Sequence, residues 1–158
     1  MPASPKITKK GFILTKEIIA IASDHAGFEL KMTLKQELKD RGYSVLDLGP
    51  HSTESVDYPD YGAAMAHAIE NGDAPRGIVV CGSGIGISIA VNRSPAVRAA
   101  LCQTGLMAKL SRLHNDANVL ALGARLIGIE TAMDCLDAFL NTEFEGGRHQ
   151  RRVAKLGN

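Results

Sequence analysis

Val79-Val80-Cys81-Gly82-Ser83-Gly84-Ile85-Gly86-Ile87-Ser88 is the stretch on which the reading of this chain turns. An apolar run from Gly77 to Val80 ends at a cysteine, three glycines follow at alternate positions, and an apolar segment from Ile85 to Val91 comes next. That text reads as a buried strand, a tight turn and a helix start. Glycines without a Cβ let a ligand approach the backbone closely. The helix N-terminus offers unpaired N–H groups and a partial positive charge, which suit an anion. A thiol at the end of the strand faces the same field, which favours its thiolate. The local string reads equally well as an ordinary strand-to-helix turn carrying a buried, inert cysteine.

Working outward, strands and helices alternate along the whole chain. Upstream, Ile18 to Ala22 is a short apolar strand that runs into Ser23-Asp24-His25-Ala26-Gly27. A helical stripe of Phe28, Leu30, Leu34 and Leu38 follows and ends at Gly42. Tyr43 to Leu48 is a second strand, and Asp57-Tyr58-Pro59 opens a helix from Asp60 to about Asn71. Downstream, Val97 to Cys102 is a fourth strand, and Gly105 to about Leu113 is helical. The polar cluster Ser111-Arg112-Leu113-His114-Asn115-Asp116-Ala117-Asn118 forms a connection into a fifth strand, Val119 to Leu122. Gly123-Ala124-Arg125 comes next, then a helix from about Ile129 to Leu140. A basic tail holds Arg148 and Arg152, four apart and so on one face of a helix spanning 147–156. This order predicts a single α/β domain over residues 17–158. Its fold is a doubly wound, Rossmann-like three-layer sandwich around a parallel sheet of about five strands. Residues 1–16, with Pro2, Pro5 and four lysines, read as a flexible arm.

Bulk properties narrow the function classes. Formal net charge is +1, so no excess points to nucleic acid or a membrane surface. Aromatic residues make up 4% with no tryptophan, too few for base-stacking platforms. Cys81, Cys102 and Cys135 show no CxxC spacing, which argues against a disulfide framework or a structural zinc site and fits a reducing cytoplasm. The apolar cluster Gly11 to Leu14 is too short for a secretory core, and no apolar run approaches the ~20 residues of a membrane span.

In open α/β sheets ligands bind at the carboxyl edge. Asp24 and His25 follow the first strand, Cys81 and Ser83 the third, Arg125 the fifth, so all belong to that edge. His114 precedes the fifth strand and belongs to the opposite one, so it would join the same pocket only from a two-fold partner. The glycine loop lacks the terminal Lys-Ser/Thr of a nucleotide P-loop, and its place after the third strand is wrong for a dinucleotide fingerprint. No histidine/carboxylate spacing makes a metal site. Cofactor-free proton transfer on a small phosphorylated anion remains. Residue by residue, blander roles stay open: Asp24 as a helix cap, His25 as a hydrogen-bonded structural histidine, Tyr58 as a packing ring, His114 as a helix-terminal cation, the arginines as a solvated face.

Ser23–Gly27, Asp57–Pro59, Cys81–Gly86, Ser111–Asn118 and Gly146–Arg152 together resemble the B-type ribose-5-phosphate isomerases, a family that includes the galactose-6-phosphate isomerase subunits. The resemblance covers about 17 to 155. It implies aldose–ketose isomerisation through a cis-enediolate, without metal or cofactor, most simply of ribose 5-phosphate to ribulose 5-phosphate. Another sugar phosphate, or a non-catalytic subunit, is the alternative. In this reading Cys81 moves the proton between C1 and C2. Ser83 and the loop amides of Gly82, Gly84 and Gly86 hold the enediolate oxygen. His114 helps open the furanose ring, with Asp24 a partner in proton handling. Tyr58 and Asn115 contact sugar hydroxyls, while His25, Arg125, Arg148 and Arg152 hold the phosphate. Some relatives carry a glutamate base where this chain has Ile87, so the chain resembles the cysteine-base branch. The resemblance also implies a homodimer, or a dimer of dimers, with His114, Asn115 and Arg125 coming from the neighbouring subunit and the C-terminal helix packing on it.

Overall fold

The computed structural model describes residues 16–157, together with the backbone of residues 6–7 and 13–14. Five strands form one parallel sheet: β3 (Lys16–Ser23), β4 (Tyr43–Asp47), β5 (Arg76–Cys81), β6 (Ala99–Leu101) and β7 (Val119–Gly123), in the order β4-β3-β5-β7-β6. The helices between them are α1 (Phe28–Asp40), α2 (Tyr58–Glu70), α3 (Ile85–Val91), α4 (Gly105–Asn115) and α5 (Ile129–Asn141), and α6 (Arg148–Val153) closes the chain. The fold is the doubly wound α/β sandwich that the alternation of elements predicts. Among the described residues no helix is long and apolar enough to cross a membrane.

Side-chain alternation along the strands builds two cores, one on each face. Ile19, Ile21, Ile78, Val80, Leu120 and Leu122 point to one side and pack with Leu34 and Leu38 of α1 and Leu136 and Phe139 of α5. Ala20, Ala22, Val79, Cys81 and Ala121 point to the other, against Met65 of α2 and Ile87 and Val91 of α3. Each large aliphatic side chain so buried contributes about 1.5–3 kcal/mol. Cys81 therefore stands on the α2/α3 side, at the last residue of the central strand.

Several boundaries differ from expectation for visible reasons. β6 begins at Ala99 rather than Val97, because side chains engage the backbone before it. Asn118 Oδ1 accepts from the Arg98 amide at 2.8 Å, and Asn118 Nδ2 donates to the Ala96 carbonyl at 2.8 Å. α4 runs on to Asn115, so His114 and Asn115 lie in its last helical turn and not on a connection. Asp116 ends the helix in the left-handed region, φ 45°, where Arg98 and Arg112 pair with its carboxylate. Of the expected arm over 1–16, Lys6–Ile7 (β1) and Ile13–Leu14 (β2) pair antiparallel and Lys16 already belongs to β3. The rest of the arm lies outside the described residues.

Lys31 breaks the apolar stripe of α1 yet is fully buried. Its ammonium donates to Asp47 Oδ1 at 2.7 Å and to the Pro50 carbonyl at 2.6 Å, while Lys35 holds Asp47 Oδ2 at 2.8 Å. Burial alone would raise the Asp47 pKa, but Lys31, Lys35 and the Gly49 amide outweigh it and bring the carboxyl down to about 2. This cluster fastens the carboxyl end of β4 to α1 and starts the loop that runs to α2.

Candidate active site

Because all five strands run the same way, their carboxyl ends share one edge, and the segments leaving them meet there. The Cys81 loop sits at the centre. Gly84 caps α3 with φ 77°, a conformation that side chains resist. A Cβ at Gly84 would lie 2.5 Å from Leu101 Cδ1 and 2.8 Å from the Leu122 carbonyl carbon. This turn aims the Gly84 N–H at Cys81 Sγ, 3.1 Å away. The sulfur is thus a hydrogen-bond acceptor at the wall of a pocket. Ser83 Oγ accepts from the Ile85 amide at 3.2 Å, which leaves its own O–H free to donate outward. Ile87, where some relatives would carry glutamate, is fully buried in the α2/α3 core.

The pocket holds about 330 Å³ and is walled by Cys81, Ser83, Asp24, Tyr58 and Arg125, with Leu126 at its rim. Asp24, 7% exposed, uses Oδ1 to accept from the Gly27 amide at 3.0 Å, and its second oxygen is available to the pocket. This bond closes the turn before α1, whose N-cap is Gly27 and not Asp24. Tyr58 lies over Gly86, where a Cβ would meet ring carbons at 2.8 Å. The Arg125 guanidinium stands beside Gly82, and backbone bonds from Ala124 to Cys81 (2.9 Å) and Arg125 to Gly82 (2.9 Å) tie the end of β7 to the loop. Arg125 therefore meets Cys81 within one chain, unlike the expectation that it comes from a neighbour. His25 is at the same edge with Nδ1 on Val56, 3.1 Å from its amide nitrogen and 3.2 Å from its carbonyl oxygen. Leu126 and Val56 are the parts of this edge that motif reading missed. Neither carries ionisable chemistry, so nothing in their residue type marks them.

The other predicted residues gather at the amino edge. α4 and α5 both run back across the sheet, so His114, Asn115, Arg148 and Arg152 lie at its far end. The length of β7, roughly 16 Å, separates them from Cys81. His114 stacks on His149, with ring centroids 4.3 Å apart and 16° between planes. Arg148 and Arg152 are exposed. The four groups expected on one phosphate are thus split, His25 and Arg125 at one edge and Arg148 and Arg152 at the other. Two larger depressions, of about 630 and 530 Å³, flank this arrangement, one including Asn115, Arg98 and Leu156, the other sharing Tyr58 and Gly86 with the Cys81 pocket. Of these three pockets of the described residues, the Cys81 pocket is the one that gathers a thiol, a hydroxyl, a carboxylate and a guanidinium together.

The remaining cysteines are core residues. Burial, with Cys135 adding to it, pushes the Cys102 thiol up to about 12, and burial, with Asp134 adding to it, pushes Cys135 up to about 11. Neither is a thiolate near neutrality.

Residues 19–156 match the family described as Ribose/Galactose Isomerase. The chain is 47% identical over 138 residues to ribose-5-phosphate isomerase B of Escherichia coli K12, covering 87% of this chain and 93% of that one. Among solved structures, ribose-5-phosphate isomerase B of Clostridium thermocellum superposes with a TM-score of 0.87 at 54% identity, covering 89% of this chain and 95% of that one. That of Thermotoga maritima gives 0.87 at 52% identity, covering 89% and 97%. With a family match across nearly all of the sheet, its helices and the Cys81 loop, the chain belongs to the Ribose/Galactose Isomerase family and is an aldose–ketose isomerase.

Proposed function

We propose that the protein interconverts ribose 5-phosphate and ribulose 5-phosphate, with Cys81 as the base. The observation that carries this reading is the Gly84 N–H held 3.1 Å from Cys81 Sγ at the wall of a pocket that also contains Ser83, Asp24 and Arg125. The names of the relatives favour the five-carbon substrate. The Cys81 thiolate takes the C2 proton of the open-chain aldose and electrons move to O1; O1 then gains a proton, O2 gives its proton up, and the C2 carbonyl forms as the same sulfur returns its proton to C1. Ser83, already accepting from Ile85, donates its hydroxyl hydrogen to the developing oxyanion. Gly84 and Ile85 spend their amides on Cys81 and Ser83. Oxygen binding by the loop backbone therefore falls to amides such as that of Gly86, which has no partner within its own helix. Asp24 exchanges protons with sugar hydroxyls through its free oxygen, and Tyr58 covers the sugar.

The active unit in this reading is a homodimer. A second copy brings His114 and Asn115 to the Cys81 pocket for ring opening and hydroxyl binding, and Arg148 and Arg152 join Arg125 and His25 around the phosphate. The apolar side chains Ile85 and Ile89, exposed on α3 beside the pocket, support a covered face there.

A coupled assay with four-, five- and six-carbon aldose phosphates tests the substrate. The five-carbon sugar is expected to give the highest kcat/KM, and absence of turnover on ribose 5-phosphate sinks the proposal. Cys81→Ala is expected to abolish solvent proton exchange while phosphate binding is kept.

A further inference from the structure

His149 is the one buried histidine among the described residues, 6% exposed, and the roles above do not use it. It lies in the first turn of α6, inward of the exposed Arg148 and Arg152, and its ring is the platform on which His114 rests. Arg148 Nε donates to His149 Nε2 across 3.4 Å. A guanidinium has donors only, so the Nε2 lone pair must accept and the ring hydrogen sits on Nδ1. Burial pushes the His149 pKa below the ordinary histidine value. His114 of α4 and Arg148 and Arg152 of α6 push the same way, against Glu145 of the preceding loop. The ring is thus a neutral plate with one face on His114 and one edge on Arg148.

His114, Glu145 and His149 also place potential ligand atoms within 4.8 Å of one another. Stacked, near-parallel imidazoles keep their in-plane lone pairs in separate planes and do not converge them on one point, and Arg148 already faces His149 Nε2. This geometry serves orientation, not a shared cation. Glu145 has a separate part, since its amide donates to the Leu113 carbonyl at 3.1 Å and seats the loop before α6 on the end of α4.

We propose that His149 is a positioning residue for ring opening: its face holds the His114 ring, its Nε2 ties that ring to Arg148, and seating the phosphate therefore also sets His114. The inference rests on the isomerase reading above. Ring opening breaks C1–O4 and forms the C1 carbonyl, with the O1 proton leaving and a proton arriving at O4. His114 must be aimed for that transfer, and misplacement of a catalytic group by about 1 Å can cost on the order of a hundredfold.

The test separates ring opening from isomerisation. Ribulose 5-phosphate cannot close a furanose ring, because its C5 oxygen carries the phosphate, so solvent-deuterium exchange at its C1 reports Cys81 chemistry without ring opening. His149→Ala is expected to lower kcat/KM for ribose 5-phosphate by about tenfold or more while slowing exchange into ribulose 5-phosphate less than about threefold. His149→Phe keeps a flat ring against His114 but offers Arg148 no acceptor. It is expected to recover most of kcat while KM stays raised. Equal losses in both assays, or no recovery with phenylalanine, would overturn the positioning role and leave the isomerase reading standing. If the alanine variant does not fold, the phenylalanine variant decides, since loss of kcat with KM unchanged contradicts the proposal. No turnover by the wild-type enzyme removes the function and this role together.

Discussion

The two edges of the sheet are built by different means. At the carboxyl edge the working atoms are fixed by backbone: the Gly84 amide on Cys81, the Ile85 amide on Ser83, the Gly27 amide on Asp24, and β7 bonded to the loop at Cys81 and Gly82. At the amino edge they are fixed by side chains, one imidazole stacked on another and two exposed arginines on a single short helix. Backbone-held groups need no ordering when a ligand arrives, so that edge is suited to bond-making. Exposed cations gain little until solvent is excluded from them. In the homodimer proposed above, the charge of the amino edge becomes useful when a second copy closes over it.

The sharpest way to break this contrast is at the sulfur. Cys81→Ala should lower turnover by about a thousandfold or more, the scale of losing a general base. Loss below about tenfold would move the base elsewhere. Next comes the scaffold: Gly84→Ala puts a Cβ into Leu101 and Leu122 at a left-handed position. It should destabilise folding by about 2–4 kcal/mol, measured by urea unfolding. A smaller change would mean the loop is more yielding than its contacts imply.

The anchor of the carboxyl edge offers a third test. Asp47 titrates at about 2 when folded against 3.8 when free, so its contribution is fully present above about pH 4 and is lost as pH falls through 2. That difference corresponds to about 2 kcal/mol. Asp47→Asn should flatten the fall in unfolding free energy between pH 4 and 2, and an unaltered slope would show that other carboxylates carry it. The smallest effect is expected at the amino edge. Arg152→Ala should raise KM about tenfold with kcat nearly kept, as for binding shared by ground and transition states. Mixed with Cys81→Ala subunits in equal amounts, it should show kinetics of the intact site in the mixed dimers, and none if sites are confined to single chains.

The carboxyl edge was largely legible in the text because its signals are local. Glycine spacing and the strand-ending Cys81, Asp24 and Arg125 follow from runs of a few residues. The amino edge was legible only in part. His114 and Arg148 stand out by type, but the Arg98–Asp116 pair at the end of α4 joins residues 18 positions apart, and only the Arg112–Asp116 pair beside it is local. His149 was hidden between arginines, and its one signal is helical phase, about 100° round from Arg148 toward the core. The burial of Lys31 was hidden for the same reason. A lysine in an amphipathic stripe reads as exposed, and its partner Asp47 lies 16 positions away.

The mutual fit of Gly84 and Gly123 has a further consequence. A Cβ on Gly84 would strike the Leu122 carbonyl carbon, and one on Gly123 would strike the Ser83 carbonyl oxygen at 2.5 Å, so each turn occupies the space the other would need. Neither can gain a side chain alone, and gaining both only worsens the collision. The floor of the pocket is therefore closed to gradual change by substitution. Leu126, exposed at the rim, is under no such reciprocal constraint. On the proposed reading of this pocket as the sugar site, a lineage adapting it to a longer or shorter sugar has its accessible steps at the rim and almost none beneath the sulfur.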